Sequence, residues 1–150
     1  MKNLLLSVLG TSLLATAAVH AAEHTVEMKN VGADGPMVFV PGVLQVAVGD
    51  TVKFVATDMA AHNSESIDDL KPEGSVSWKG GANKEVSVTI DKEGVYVYKC
   101  QPHSVAGMVG VLVAGEPTNI DEIKEKSSAL SSTSPLIKGR LDNYLAQVSN

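Results

Sequence analysis

Cysteine is almost absent from this chain: Cys100 is the only one, so no disulfide can form within it. The chain therefore has neither the Cys-x-x-Cys pair of a thioredoxin-like redox site nor the Cys-x-x-Cys-His motif of haem attachment. His-x-His pairs, which a multicopper oxidase would need, are also missing. These absences exclude three common kinds of redox centre.

Long runs of Lys or Arg are missing too. With 12 basic and 17 acidic residues the formal net charge is −5, which argues against a general nucleic-acid binder. Aromatic residues make up only 4%, and Trp78 is the single tryptophan. The 44% of hydrophobic and 19% of charged residues are nevertheless a globular composition, and 150 residues predict one domain with a small appendage.

The first residues have the pattern of a secretory signal. One charged residue, Lys2, precedes an apolar run at 4–19, which at about sixteen residues is short for a membrane span. Val19 and Ala21 supply small side chains at the −3 and −1 positions. We expect residues 1–21 to be removed by cleavage after Ala21, the alternatives being cleavage after Ala22 or an uncleaved anchor. An exported chain works in an oxidising compartment, where one unpaired cysteine needs an explanation.

Short stretches of alternating polar and apolar residues, separated by turns, predict an all-β fold. The predicted strands lie at 26–29, 37–40, 44–48, 51–57, 85–90, 95–100 and 109–113. The last of these is apolar enough to be buried on both faces, and the stretch 58–81 is the least regular. Strands at this spacing predict a β-sandwich of seven to eight strands.

The character changes after Pro117. Residues 118–126 have the pattern of a helix start with acidic residues in the first turn, and 127–134 is predicted to be a serine-rich linker. Ser134 and Pro135 then supply a cap and a first-turn proline. One face of this second helix is apolar, with Ile137, Leu141, Tyr144, Leu145 and Val148. We expect both helices to pack on the sandwich; the alternative is a frayed tail.

Four residues carry the chemistry of the sequence: His62, Cys100, His103 and Met108. The last three form a Cys-x2-His-x4-Met motif in the loop between two apolar strands. His62 follows an earlier strand and completes the set if the two strand ends are neighbours. Two imidazoles, a thiolate and a weak axial thioether are the ligands of type 1 copper. The pattern predicts a copper site that exchanges electrons and binds no substrate.

Other interpretations of these residues fit less well. A structural zinc site would need a fourth strong ligand in place of a thioether, and the spacing matches no Cys/His hydrolase. Taken singly, each residue has an ordinary role: Cys100 as a buried thiol, Met108 as core filler, and His62 and His103 as loop histidines. Their joint occurrence favours the metal. His24, beside the expected new N-terminus, is predicted to be exposed.

At this point the sequence resembles the pseudoazurins, a family of bacterial periplasmic cupredoxins. The resemblance covers residues 23–148, and its specific pieces lie at 35–39, 49–54, 62–67, 72–74, 94–96 and 99–108. Two C-terminal helices distinguish this family from the plastocyanins. The resemblance implies a cupredoxin-like Greek-key sandwich at 22–116, with residues 117–150 as a helical extension of the same domain.

The resemblance also assigns roles to residues. It implies that His62, Cys100, His103 and Met108 bind one copper ion and that the Asn63 amide steadies the loop and the thiolate. Electrons would leave through the exposed edge of His103, inside an apolar docking rim. The expected rim residues are Met37, Pro41, Pro102 and Ala106. Lys79 and Lys99 match a ring of lysines that steers family members to acidic partners, whereas Val31, the stretch 59–61 and Ser104 depart from the family pattern.

The function implied is that of a soluble periplasmic electron carrier, with no enzymatic activity of its own. The expected acceptor is copper nitrite reductase, in denitrification, or another periplasmic reductase, and the expected donor is a c-type cytochrome or a similar protein. We expect a monomer that binds no nucleic acid and has no membrane span after processing. The alternative function is a periplasmic copper carrier or delivery protein with the same kind of site.

Overall fold

Eight strands and two helices follow one another in the computed structural model, which describes residues 21–148. Along the chain the strands are β1 (Glu23–Gly32), β2 (Gly35–Val40), β3 (Val43–Val46), β4 (Thr51–Ala56), β5 (Glu65–Ser66), β6 (Val86–Thr89), β7 (Gly94–Lys99) and β8 (Val109–Ala114). The helices are α1 (Ile120–Ser131) and α2 (Pro135–Leu145). Apart from Ala21, the predicted signal peptide lies outside the described residues.

The strands form two four-stranded sheets. One sheet has the order β2-β1-β4-β6 and the other the order β3-β8-β7-β5. The pairs β1–β4 and β3–β8 are parallel, and the remaining pairs are antiparallel. The predicted β-sandwich with C-terminal helices is therefore confirmed, with eight strands.

Strand alternation divides the interior into two cores. Tyr96 and Tyr98 of β7 point into the core between the sheets, together with Phe39 and Phe54. The intervening residues of β7, such as Val97, belong to a second core beneath the helices. Because successive side chains of a strand point to opposite faces, a sheet covered on both sides must be apolar at every position. All six residues of β8 are accordingly buried, as predicted.

The C-terminal helices close the second core. The Ser134 hydroxyl accepts a hydrogen bond from the Leu136 N–H at 3.2 Å, and Pro135 occupies the first turn of α2, so the predicted start of this helix is confirmed. The predicted apolar face is also confirmed, since all five of its side chains are buried: Ile137, Leu141, Tyr144, Leu145 and Val148. Neither helix in the described part of the chain is long and apolar enough to cross a membrane.

The linker prediction for residues 127–134 is wrong, because α1 continues to Ser131. Its buried face is formed by Ile120, Ile123, Ser127 and Ser131, which have helical spacing. The Ser127 hydroxyl donates to the Lys124 carbonyl at 3.0 Å, so this serine satisfies its hydroxyl within the helix. The irregular stretch 58–81 also contains an unpredicted strand, β5, and a 3-10 turn at Asp68–Leu70.

Candidate metal centre

The loop between β7 and β8 brings three of the predicted residues to one end of the sandwich. Cys100 directly follows β7 and Met108 directly precedes β8. The Cys100 N–H donates to the Met108 carbonyl at 3.0 Å, and the Met108 N–H donates to the His103 carbonyl at 3.2 Å. The loop contains a 3-10 turn at Ser104–Ala106, which is followed by Gly107 with φ of +80°. Cys100 and Met108 are fully buried and share the core between the sheets.

His62 reaches the same end from the connection after β4, and its orientation is fixed at two points. Its N–H donates to Asn83 Oδ1 at 3.1 Å, and its ring Nε2 lies 2.9 Å from Asn30 Oδ1. Because an amide oxygen only accepts hydrogen bonds, the ring proton is on Nε2. The unprotonated Nδ1, which can bind a metal, then faces Cys100.

The potential donor atoms lie close together. Cys100 Sγ is 3.4 Å from His103 Nδ1 and 4.0 Å from His62 Nδ1, and all three donor atoms lie within 4.8 Å of one another. The imidazole rings of His62 and His103 are 4.9 Å apart between centroids. His62 and Cys100 are fully buried, whereas His103 is partly exposed. The three side chains thus form a pocket of nitrogen and sulfur donors with one edge at the surface.

The protonation states suit metal binding in part. Burial raises the pKa of the Cys100 thiol, while backbone N–H groups of Asn63 and His103 oppose this shift. The Asn63 N–H lies 3.4 Å from the sulfur and therefore favours the thiolate, the form that binds metals. Burial, reinforced by nearby His103, lowers the pKa of His62, which favours the neutral imidazole.

Asn63 joins the two loops of the site. Its side-chain amide donates to the Gly80 carbonyl at 3.1 Å, and its Oδ1 accepts the Gln101 N–H at 2.8 Å. The Asn63 side chain therefore connects the segment after β4 to the residue that follows Cys100. The steadying role expected for this amide stays a prediction.

The residues predicted to form a docking rim around His103 differ in exposure, and the rim itself stays a prediction. Pro41 and Pro102 are exposed, and Met37 and Ala106 are half-buried. Sequence reasoning missed two exposed apolar side chains near the loop of His103: Val105 is 70% exposed and Leu136 of α2 is 61% exposed. Leu136 packs against Gly107 of the loop, so helix α2 reaches the same end of the molecule.

Lys79 and Lys99 both pair with an acidic residue that the sequence analysis did not single out. Lys79 Nζ lies 3.4 Å from Glu65 Oε2, and Lys99 Nζ lies 3.5 Å from Glu65 Oε1. Glu65 is opposite Lys99 in the β5–β7 pair. A short strand recognised at Glu65 would have revealed this pairing. The carboxylate offsets part of the positive charge of the two lysines.

His24 does not have its predicted surroundings. It is half-buried, and its Nε2 lies 2.8 Å from the Asp50 carboxylate. Asp50 also accepts hydrogen bonds from the N–H groups of Ala22 and Ala47. The exposed position predicted for His24 is wrong because β1 begins at Glu23 and lies parallel to β4, which brings His24 against the start of that strand.

Comparison with known proteins identifies the family. Residues 26–115 match the copper binding proteins of the plastocyanin/azurin family. The chain is 38% identical to pseudoazurin of Paracoccus pantotrophus, over 96% of this chain and 97% of the relative. The crystal structure of native pseudoazurin from Hyphomicrobium denitrificans is similar, with 47% identity, a TM-score of 0.77 and coverage of 85% of this chain and 99% of that chain.

A second solved structure agrees with the first. Pseudoazurin from Methylobacterium extorquens AM1 is 38% identical, with a TM-score of 0.77 and coverage of 85% of this chain and 99% of the other. These matches extend over both the sandwich and the helices. The chain therefore belongs to the pseudoazurins, copper-binding electron carriers of the plastocyanin/azurin family.

Proposed function

We propose that this protein is a periplasmic one-electron carrier whose copper ion is held by His62, Cys100, His103 and Met108. The observation that supports this ligand set is the cluster of three donor atoms, all within 4.8 Å of one another. Met108 is fully buried in the core that contains Cys100. The cluster occurs in a chain whose relatives are copper proteins.

The donor set fits copper chemically. A thiolate and a thioether are soft donors that favour Cu(I), and imidazoles also accept Cu(II). Bound copper would supply one kind of chemistry, the gain and loss of a single electron. Asn30 holds the donor nitrogen of His62 toward Cys100, and the Asn63 N–H favours the thiolate. Burial of His62, Cys100 and Met108 excludes water and substrates.

His103 is the proposed exit for the electron. Its ring combines a donor nitrogen near the sulfur with a partly exposed edge. Pro102, Val105 and Ala106 belong to the same loop, and Met37 is connected to that loop through Arg140. Interfaces of this type are small and weak, which allows rapid exchange of partners. We propose copper nitrite reductase or another periplasmic reductase as acceptor and a c-type cytochrome as donor, with Lys79 and Lys99 at the edge of the interface.

The periplasmic location depends on residues 1–21 acting as a signal peptide. We propose that the mature chain begins at Ala22 and comprises the copper-binding domain at 22–116 and its helical extension at 117–150. Mass spectrometry of the protein isolated from the periplasmic fraction should give the mass of a chain starting at Ala22. Recovery of the full-length chain in the membrane fraction would contradict this proposal.

A visible absorption and electron paramagnetic resonance experiment tests the site. The purified chain with one equivalent of Cu(II) should show an intense orange-region absorption and a narrow copper hyperfine splitting, which Cys100→Ser should abolish. Met108→Leu should change the spectrum, whereas Met28→Leu, at another fully buried methionine, should leave it unchanged. A weak, ordinary tetragonal Cu(II) spectrum would contradict the site and favour copper delivery instead.

A second experiment tests the partner. Stopped-flow mixing of the reduced protein with oxidised copper nitrite reductase should bleach the reductase copper, with an observed rate that rises with protein concentration. A wild-type spectrum together with no electron transfer would refute this partner and leave the electron carrier intact.

A further inference from the structure

Arg140 is the only arginine of the chain, and it lies in α2, half-buried, outside the proposed ligand set. Its guanidinium donates to four backbone carbonyls. Nη1 lies 2.6 Å from the Met37 oxygen and 2.5 Å from the Gly107 oxygen. Nη2 lies 2.9 Å from the Pro36 oxygen and 3.1 Å from the Asp34 oxygen. One side chain therefore connects α2, the β1–β2 turn with the start of β2, and the loop that carries Cys100, His103 and Met108.

The two segments that Arg140 joins have unusual backbones. Met37 has φ of +49° and Gly107 has φ of +80°, a region that side-chain-bearing residues rarely adopt. Gly107 is adjacent to Met108, whose N–H in turn bonds to the His103 carbonyl. Gly107 is thus connected to two of the proposed ligands, to Met108 by a peptide bond and to His103 through the Met108 N–H.

Other contacts of α2 act on the same loop. The Ser134 hydroxyl donates to the Val105 carbonyl at 2.9 Å. Leu136 packs so closely on Gly107 that a side chain at that glycine would lie 3.0 Å from the Leu136 backbone. The first turn of α2 thus covers the second half of the ligand loop, and Arg140, in the middle of the helix, binds the same part of the loop.

We propose that Arg140 is a positioning residue for the metal centre, which holds the Gly107–Met108 end of the ligand loop against the β1–β2 turn and the start of β2. The proposal rests on the ligand set given under the proposed function. An arginine suits this role because its planar guanidinium presents several N–H donors in a fixed arrangement, whereas a lysine ammonium is a flexible point charge. The bonds are charge-assisted and stronger than bonds between neutral groups.

Three variants separate positioning from charge and from general stability. Arg140→Met removes the donors and the charge while keeping a long apolar side chain. Lys138→Met removes one positive charge from the same helix; among residues 21–148, the Lys138 ammonium pairs only with Asp142, at 2.8 Å. Arg140→Lys keeps the charge but loses the fork of donors.

The first readout is amide hydrogen exchange, measured on the copper-loaded protein and again after copper removal. In Arg140→Met, exchange at Ala106, Gly107 and Met108 should accelerate about tenfold or more, as expected for a lost charged hydrogen bond. The β1–β4 ladder should keep its wild-type rates. Lys138→Met should leave both regions unchanged, and Arg140→Lys should give intermediate rates in the loop.

The second readout is the reduction potential of the copper-loaded protein. Positioning predicts a larger shift for Arg140→Met than for Lys138→Met, together with a measurable shift for Arg140→Lys. Equal shifts in the two Met variants with a wild-type potential in Arg140→Lys would show a pure charge effect and overturn the proposal. Unchanged loop exchange, or uniform acceleration over the whole sandwich, would overturn it as well. If wild type fails to show a thiolate–copper spectrum, the ligand set is refuted. The role of Arg140 is still tested in that case, because the exchange readout also applies without copper.

Discussion

Replacing Asn63 by Ala should destabilise the protein more than replacing the neighbouring buried residue, Ser64, by Ala. Asn63 is 7% exposed and makes two side-chain hydrogen bonds, to Gly80 and Gln101. The variant leaves the carbonyl of the buried Gly80 unsatisfied, which costs about 1–3 kcal/mol, and removes the bond to the N–H of the exposed Gln101, which costs about 0.5–1.5 kcal/mol. We expect a loss of about 3 kcal/mol in the free energy of unfolding. With a urea slope of about 2 kcal/mol per molar, the unfolding midpoint should fall by about 1.5 M.

The matched control is Ser64→Ala. Ser64 is fully buried and accepts one hydrogen bond from Trp78 Nε1 at 2.9 Å, so its loss should cost about 1–2 kcal/mol. Urea unfolding of the copper-free proteins, followed by far-ultraviolet circular dichroism, measures both variants. Asn63→Ala should in addition alter the visible spectrum of the copper-loaded protein, because the amide connects the loops of His62 and Cys100. Equal midpoints for the two variants, with an unchanged spectrum in both, would refute this reasoning.

Three further predictions concern residues outside the metal centre. Hydrogen bonds from the N–H groups of Ala22 and Ala47, with a smaller contribution from His24, lower the pKa of Asp50 from 3.8 to about 2. Because the folded-state pKa lies below the unfolded one, the stabilisation is complete above about pH 4 and is lost as the pH falls toward 2. Asp50→Asn should lack this part of the acid dependence in unfolding curves measured from pH 5 to 2, and identical curves would contradict the assignment. Leu141→Ala, at a fully buried position of α2, should cost about 2–5 kcal/mol in urea unfolding, whereas the exposed Asn143→Ala should cost almost nothing; equal small effects would mean that α2 is not part of the cooperative unit. Tyr144→Phe, which removes the 2.8 Å bond to Asp34, should lower the free energy of unfolding by about 1 kcal/mol, and an unchanged midpoint would show that the bond contributes nothing net.

Alternation and turn signals were sufficient to predict the sandwich, because apolar residues recur at every second position of most of its strands. The Cys-x2-His-x4-Met motif likewise predicted a donor cluster, since three donors within one loop must lie close together. His62 could be added because it follows a strand of its own and few other histidines are available. These are local patterns, and local patterns are visible in a sequence.

The remaining parts of the site depend on contacts between distant segments. Asn30 orients His62 from 32 positions away, and Arg140 reaches Met37 across 103 positions. Neither residue has a neighbouring motif that would mark it. The continuation of α1 through its serines was missed for a related reason: Ser127 and Ser131 are buried by the packing of the helix on the domain, and serine itself is a weak helix former.

The parallel pairing of β1 with β4 and of β3 with β8 bears on the order in which folding and copper uptake occur. Both pairs join strands that are distant in the sequence, and folds dominated by such contacts form slowly, on the scale of milliseconds to seconds. His62 follows β4 of one sheet and Cys100 follows β7 of the other, 38 residues later, so we expect them to meet only when the two sheets pack together. The unfolded chain nevertheless already offers Cys100 and His103 as a local pair, and metal bound to an unfolded chain reduces the stabilisation that the ion gives the native state. Copper added after refolding is therefore expected to give a higher yield of the native site than copper present throughout.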